Sequence, residues 1–252
     1  MSGHSKWSKI KRSKGLLDTK RGKIFAKFSK EIAVACKYGG GDPGFNPRLR
    51  TTLLKARAAN MPADNLERAI KKGTGELGGI TYEELIYEGY APGGVAVLIE
   101  LLTDNKNRTA GEIRAIFTKY GGNLAGSGAV KHLFLRKGQI LISKEQIAED
   151  DLITLALEAG AEDVLTHAEN YEVLTDPLQF EVVHKAFEAK RLKPQAAEIA
   201  YLPQTLVPVT DEKIARSVLL LLEALEDNDD VQNVYSSEDI PDAVMEKAQP
   251  PG

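Results

Sequence analysis

The sequence predicts an α+β protein, a helical head followed by strand-rich units. Three observations carry that reading. Before Gly73 the apolar residues recur at helical spacing. Beyond Gly78 they gather into short β-branched and aliphatic runs bounded by Gly and Pro. Charge is segregated in the same way: residues 1–75 hold 18 Lys and Arg against 5 Asp and Glu, net +13, which leaves −16 on the remainder and −3 overall. Such asymmetry suggests a polyanion-binding module joined to an acidic body. The plainer alternative is two solvated surfaces.

Residues 1–17 are rich in Lys, Ser and Gly without helical periodicity, so an extended, mobile arm is expected there. Asp18 or Thr19 can cap a helix reaching about Lys37. At 100° per residue, Ile24, Phe25, Phe28, Ile32, Ala35 and Cys36 share one face, while Lys20, Lys23, Lys27, Lys30 and Lys37 share the other. Val34 falls among the lysines and Arg21 on the apolar side. Gly39–Gly44 ends the helix; without a preceding strand or a following Gly-Lys-Ser/Thr it is no phosphate-cradling loop. Asn46-Pro47 opens a second helix with Leu49, Leu53 and Ala56 inward. Pro62 opens a third through Lys72, stopped by Gly73.

Ile80–Gly89 and Val95–Thr103 read as strands about the turn 91–94, followed by a helix, Asn107–Tyr120. Val130–Arg136 and Ile140–Ser143 read as two strands about Gly138. Ser143-Lys-Glu-Gln146 has capping-box form and would open a helix to about Ala159. Strands near Val164 and at Tyr171–Leu174, a helix over Pro177–Arg191 and a strand at Ala197–Leu202 follow. A Leu-rich helix, Asp211–Leu225, and a strand, Val231–Tyr235, precede a loose tail. This gives two β–β–α-type units behind the helical head.

Chemistry is sparse. One cysteine, Cys36, excludes an intramolecular disulfide and a Cys-based zinc site; on an apolar helix face it reads as a buried, inert thiol. His4, His132, His167 and His184 lack metal-ligand spacing. Asp227-Asn-Asp-Asp230 lacks the Gly and terminal Glu of a calcium loop and reads as a solvated helix exit. No nucleophile elbow or Walker motif is present, so neither an enzyme, a cofactor nor a small-molecule substrate is expected. Aromatics make up 6% and Trp7 is the sole tryptophan, which argues against an extended base-stacking platform. No apolar run is long enough for a membrane span, and the basic N-terminus lacks a signal-peptide core; a cytoplasmic protein is expected.

Specific strings go further. Gly3-His-Ser-Lys-Trp7 with Ile10-Lys11, Lys20-Arg-Gly-Lys-Ile-Phe25, Asn46-Pro-Arg-Leu-Arg50, Asn60-Met-Pro62 and Glu67–Gly73 run in order through the head. Tyr87–Gly94, Thr103-Asp-Asn-Lys-Asn-Arg-Thr109 and Asn233-Val-Tyr235 continue the series. Together they resemble the YebC/PmpR family, with a departure at Gly122–Val130, where the family usually has an acidic residue before Gly-Ser-Val.

The resemblance implies a three-helix domain followed by two α+β domains, the third inserted into the second. Here that divides the chain into 1–75, 76–137 with 206–240, and 138–205. It also implies a non-enzymatic regulator of gene expression, usually described as DNA-binding and transcriptional. Other members resemble translation factors acting at the ribosome through RNA contact, and an organellar relative activates synthesis of a cytochrome oxidase subunit. A third possibility is a protein-interaction module using the acidic body. The candidate nucleic-acid-binding residues are Lys6, Lys9, Lys11, Arg12 and Lys14 of the arm, then Lys20, Arg21, Lys23, Lys27 and Lys30.

Overall fold

The computed structural model describes residues 21–78 and 81–248. The arm with Trp7, the helix cap at Asp18 or Thr19, and the final four residues lie outside them. The head holds α1 (Arg21–Gly39), α2 (Pro47–Ala58) and α3 (Ala63–Gly73). Asn46 accepts the amide of Leu49 at 3.0 Å while Pro47 fills the first turn, as the Asn-Pro pair predicts. Ile32, Leu49, Leu53, Ala56, Leu66 and Ala69 form one core, closed by half-buried Phe25 and Phe28. Cys36 is buried in it, and burial pushes its thiol upward. Gly73 lets α3 cross α1 closely: a Cβ there would lie 2.5 Å from the carbonyl oxygen of Ala33.

The second unit is an antiparallel sheet in the order β3-β1-β2-β9, from β1 (Glu83–Ala91), β2 (Val95–Thr103), β3 (Asn123–Leu124) and β9 (Val231–Ser236). Val97, Ile99 and Leu101 face α4 (Lys106–Lys119) and α7 (Glu212–Glu226), which supply Ile113, Phe117, Val218, Leu221, Leu222 and Leu225. The other face, through Ala96 and Leu98, packs on Val130, Phe134, Tyr201 and Tyr235.

The third unit lies between β3 and α7 in sequence, so the chain leaves the second unit and returns to complete it. Its sheet has the order β5-β6-β4-β7, from β4 (Phe134–Ser143), β5 (Asp163–Thr166), β6 (Asn170–Thr175) and β7 (Ala196–Pro203). Ile140, Ile142, Tyr171 and Val173 pack against α5 (Glu149–Glu158) and α6 (Phe180–Ala189). The fold is therefore α+β with a third domain inserted into the second.

Several local expectations are corrected. Gly138 does not separate two strands; β4 runs through it, and the missing side chain makes room for Thr175 and Phe180. Ser143 does not cap a helix. It ends β4, and Gln146 instead exchanges hydrogen bonds with the backbone of Lys193, at 2.7 and 2.9 Å, so α5 begins only at Glu149. The tail is not loose up to Ala248: β10 (Glu238–Asp239) pairs in parallel with β8 (Val207–Pro208), and α8 (Asp242–Ala248) buries Ala248 against the core of the second unit. Val34, which breaks the amphipathic pattern of α1, is 1% exposed. The lysine side of α1 is therefore covered in part: Lys27 and Lys30 are half-buried, while Lys23 and Lys37 stay exposed.

Candidate nucleic-acid interface

Lys23, Lys27 and Lys30 stand four and three residues apart, which places them on one ridge of α1. That ridge lies against the end of α7. The last carbonyls of a helix have no partner within it, and the helix dipole concentrates negative potential there. The Lys27 Nζ donates to the carbonyl oxygen of Glu226 at 2.6 Å and the Lys23 Nζ to that of Asp227 at 3.1 Å. The Lys30 Nζ donates to the carbonyl oxygen of Asp229 at 2.8 Å and to Asp230 Oδ1 at 2.6 Å. Burial pulls the Lys27 ammonium below its ordinary range, against the opposing pull of Glu226, Asp227 and Asp229.

Asp230 is the centre of this contact. Its side chain is 5% exposed, and Oδ2 accepts from Thr109 Oγ1 at 2.6 Å, Arg108 Nη2 at 2.7 Å and Thr103 Oγ1 at 3.1 Å. Burial alone would raise this carboxyl, but the bonds from Lys30, Thr109 and Arg108 outweigh it and hold it at about 2. Arg108 is pushed upward by Asp230 and then Asp104. The string Thr103–Thr109 thus has a physical reading. Asn105 caps α4 by accepting the amide of Arg108, and two threonines and an arginine converge on one carboxylate. Asp227–Asp230 is accordingly not a solvated exit, because it receives the head.

Three further contacts dock the head, one of them the ion pair of Arg50 Nη2 with Glu181 Oε1 of α6 at 3.8 Å. Tyr82 accepts from Lys72 Nζ at 2.8 Å and lies beneath the ammonium groups of Lys72 and Lys30, 5.0 and 5.8 Å from its ring centre. Arg48 pairs with Glu84 of β1. A polar cleft of about 450 Å³ remains between Lys23, Tyr82, Arg108 and Asp229.

Of the ten candidate residues, Lys23, Lys27 and Lys30 come together on the turn after α7, and Arg21 opens α1. Lys6, Lys9, Lys11, Arg12, Lys14 and Lys20 lie outside the described residues. Asp230, Arg108 and Tyr82 were not legible as partners of the stripe. The available signal was the density of hydrogen-bonding residues in 103–109 and 227–230, which spacing alone could not bring together. Among the described residues of the head, Lys55, Arg57, Arg68 and Lys71 have no ion-pair partner, and α2 carries four cations with no acid.

The family model for the TACO1/YebC N-terminal domain matches residues 5–76, and the model for the TACO1/YebC second and third domain matches residues 82–237. A protein of Geobacter sulfurreducens named a probable transcriptional regulatory protein is 57% identical over 247 residues, covering 98% of this chain and 99% of its own. A protein of the same name from Opitutus terrae is 54% identical over 245 residues, covering 97% and 99%. The crystal structure of a conserved hypothetical protein from Aquifex aeolicus matches with a TM-score of 0.81 and 48% identity, covering 90% of this chain and 93% of that one.

Proposed function

The chain belongs to the TACO1/YebC family, and from that premise we propose that it is a non-enzymatic regulator of gene expression that binds nucleic acid through its basic head. The observation that carries this reading is the concentration of +13 net charge in residues 1–75 of a chain that is otherwise acidic. The names of its relatives, probable transcriptional regulatory proteins, support the regulatory role. The binding is to phosphate rather than to base edges, since α1 offers lysines and no Asn/Gln set suited to major-groove reading. Lys23, Lys27 and Lys30 reach phosphate only in competition with the turn at 226–230.

That competition favours a second reading, contact with ribosomal RNA and control of translation in the cytoplasm. A helix whose cationic ridge is docked on its own chain cannot lie in a DNA major groove without undocking first. One binding series tests both readings. A promoter fragment and a random duplex should bind within about tenfold of each other, far short of the 10³ or more of operator-specific regulators. Affinity should fall steeply with salt. Crosslinking in cells then names the nucleic acid. Failure of the whole chain to bind any DNA or RNA at low salt would refute the function.

A further inference from the structure

The loop before α2 is pinned at both ends. The carbonyl oxygen of Asp42 accepts the amides of Phe45 at 3.2 Å and Asn46 at 3.0 Å, and its carboxylate accepts that of Gly44 at 2.7 Å. Asn46, 4% exposed, donates to the carbonyl oxygens of Ala35 and Gly40, each at 2.8 Å. Arg50 Nη1 donates to the carbonyl oxygen of Pro43 at 3.0 Å. This rigid loop holds the Phe45 side chain out in solvent, 87% exposed. A lone exposed apolar residue is ordinary. Here, however, the ring stands at the start of a helix that carries four cations and no acid.

Along α2, Arg50, Leu54 and Arg57 follow at four- and three-residue spacing, so they share one ridge, an arc of about 60° around the helix. Leu54 is 61% exposed at its middle. The ridge is roughly 10 Å long at 1.5 Å per residue, the length of two to three stacked nucleotides at about 3.4 Å each. Arg57 has no ion-pair partner among the described residues; Lys55, also unpaired, lies about 160° round the helix from it and off the ridge. None of these residues takes part in the contact with 226–230; Arg50 is engaged by Glu181 of α6 at 3.8 Å, which leaves Leu54 and Arg57 open while α1 stays docked.

We propose that Phe45 and the ridge through Leu54 and Arg57 bind an unpaired segment of RNA, with one base stacked on Phe45 and a phosphate on Arg57. The proposal rests on the nucleic-acid function above and names the ligand and the surface. A stacked base needs an open π-face, which a duplex hides, and RNA loops and bulges display such bases routinely. Arg50 acts mainly as the brace of the loop.

The test uses the full chain and labelled, unstructured 12-nucleotide oligo-U, with oligo-dT and a random DNA duplex as comparisons, read by fluorescence anisotropy. Phe45→Leu keeps an apolar side chain but removes the aromatic face, and should weaken oligo-U binding about fivefold or more, the lower range for loss of one stacked base. Phe45→Trp should bind at least as tightly and show indole quenching on binding. Arg57→Ala should lower affinity and reduce the salt slope by about 0.7, the value of one lost contact on a single strand. All variants should melt with the parent protein, since these side chains are exposed.

If Phe45→Leu binds oligo-U as the parent does, the surface is refuted while the general function stands. Tighter binding of oligo-dT than oligo-U, or binding to duplex alone, refutes the assignment to RNA. No binding of any probe refutes both this inference and the function beneath it.

Discussion

Replacing Asp230 with Asn tests the contact between head and body at nearly constant volume. In the parent, one carboxylate oxygen meets Lys30 and the other meets Arg108, Thr103 and Thr109. An amide must present its NH2 to one of these groups of donors, leaving a donor facing donors in a site that is 5% exposed. The carboxyl is held at about 2 against an ordinary 3.8, which corresponds to about 2.5 kcal/mol of stabilisation at neutral pH, at about 1.4 kcal/mol per unit. Asp230→Asn should therefore lower the midpoint of thermal unfolding by roughly 5–10 °C, at 2–4 °C per kcal/mol for a protein of this size class. Because the folded-state value is depressed, the stabilisation is complete above about pH 4 and fades as pH falls through about 2. Melting both proteins by differential scanning fluorimetry from pH 7 to pH 2 should show a gap that is constant to about pH 4 and then closes. The other carboxylates cancel in the difference. A gap smaller than about 0.5 kcal/mol at pH 7, or one that persists unchanged to pH 2, refutes the reasoning.

Three more outcomes are expected. Lys23→Ala, Lys27→Ala and Lys30→Ala combined should weaken docking of the head by roughly 4 kcal/mol, at about 1 kcal/mol for each of the four lost bonds. Small-angle scattering should then report a larger radius of gyration, and an unchanged radius would show that the ridge holds nothing. Glu88→Gln removes a carboxylate that accepts the amides of Gly128, Val130 and Lys131 at 2.7–2.8 Å. Burial would raise this group, but those three amides hold it below the ordinary range, so its contribution is present at neutral pH and is lost as pH falls. Faster hydrogen exchange at those three amides is the expected result. Gly73→Ala places a methyl 2.5 Å from the Ala33 carbonyl oxygen and 2.6 Å from Cys36 Cβ, and should cost about 1–3 kcal/mol in urea unfolding. A neutral Gly73→Ala would mean that α3 can shift off α1 freely.

Local chemistry alone determined much of this protein. Asn46-Pro47 specified the start of α2 because a side-chain acceptor and a fixed φ act within one turn. The run Val95–Thr103 specified β2 because a strand buried on both faces reads as a continuous apolar run. The Leu-rich stretch specified α7 because burial on one helix face imposes a visible period. The charge imbalance of the head needs only counting. Where a residue's role depended on a distant partner, periodicity misled. Gly138 has the composition of a turn, yet it lies inside a strand because Thr175 and Phe180 fill the space above it. Ser143 has the spacing of a cap, but Gln146 is claimed by the backbone of Lys193. The lysine ridge has the pattern of a solvated face, and only the fold places Glu226–Asp230 beneath it, about two hundred residues away in sequence. The physical reason is that a charged face is compatible equally with water, with phosphate and with the negative end of a helix. The sequence determines that such a face exists, and the tertiary structure decides which of the three it meets.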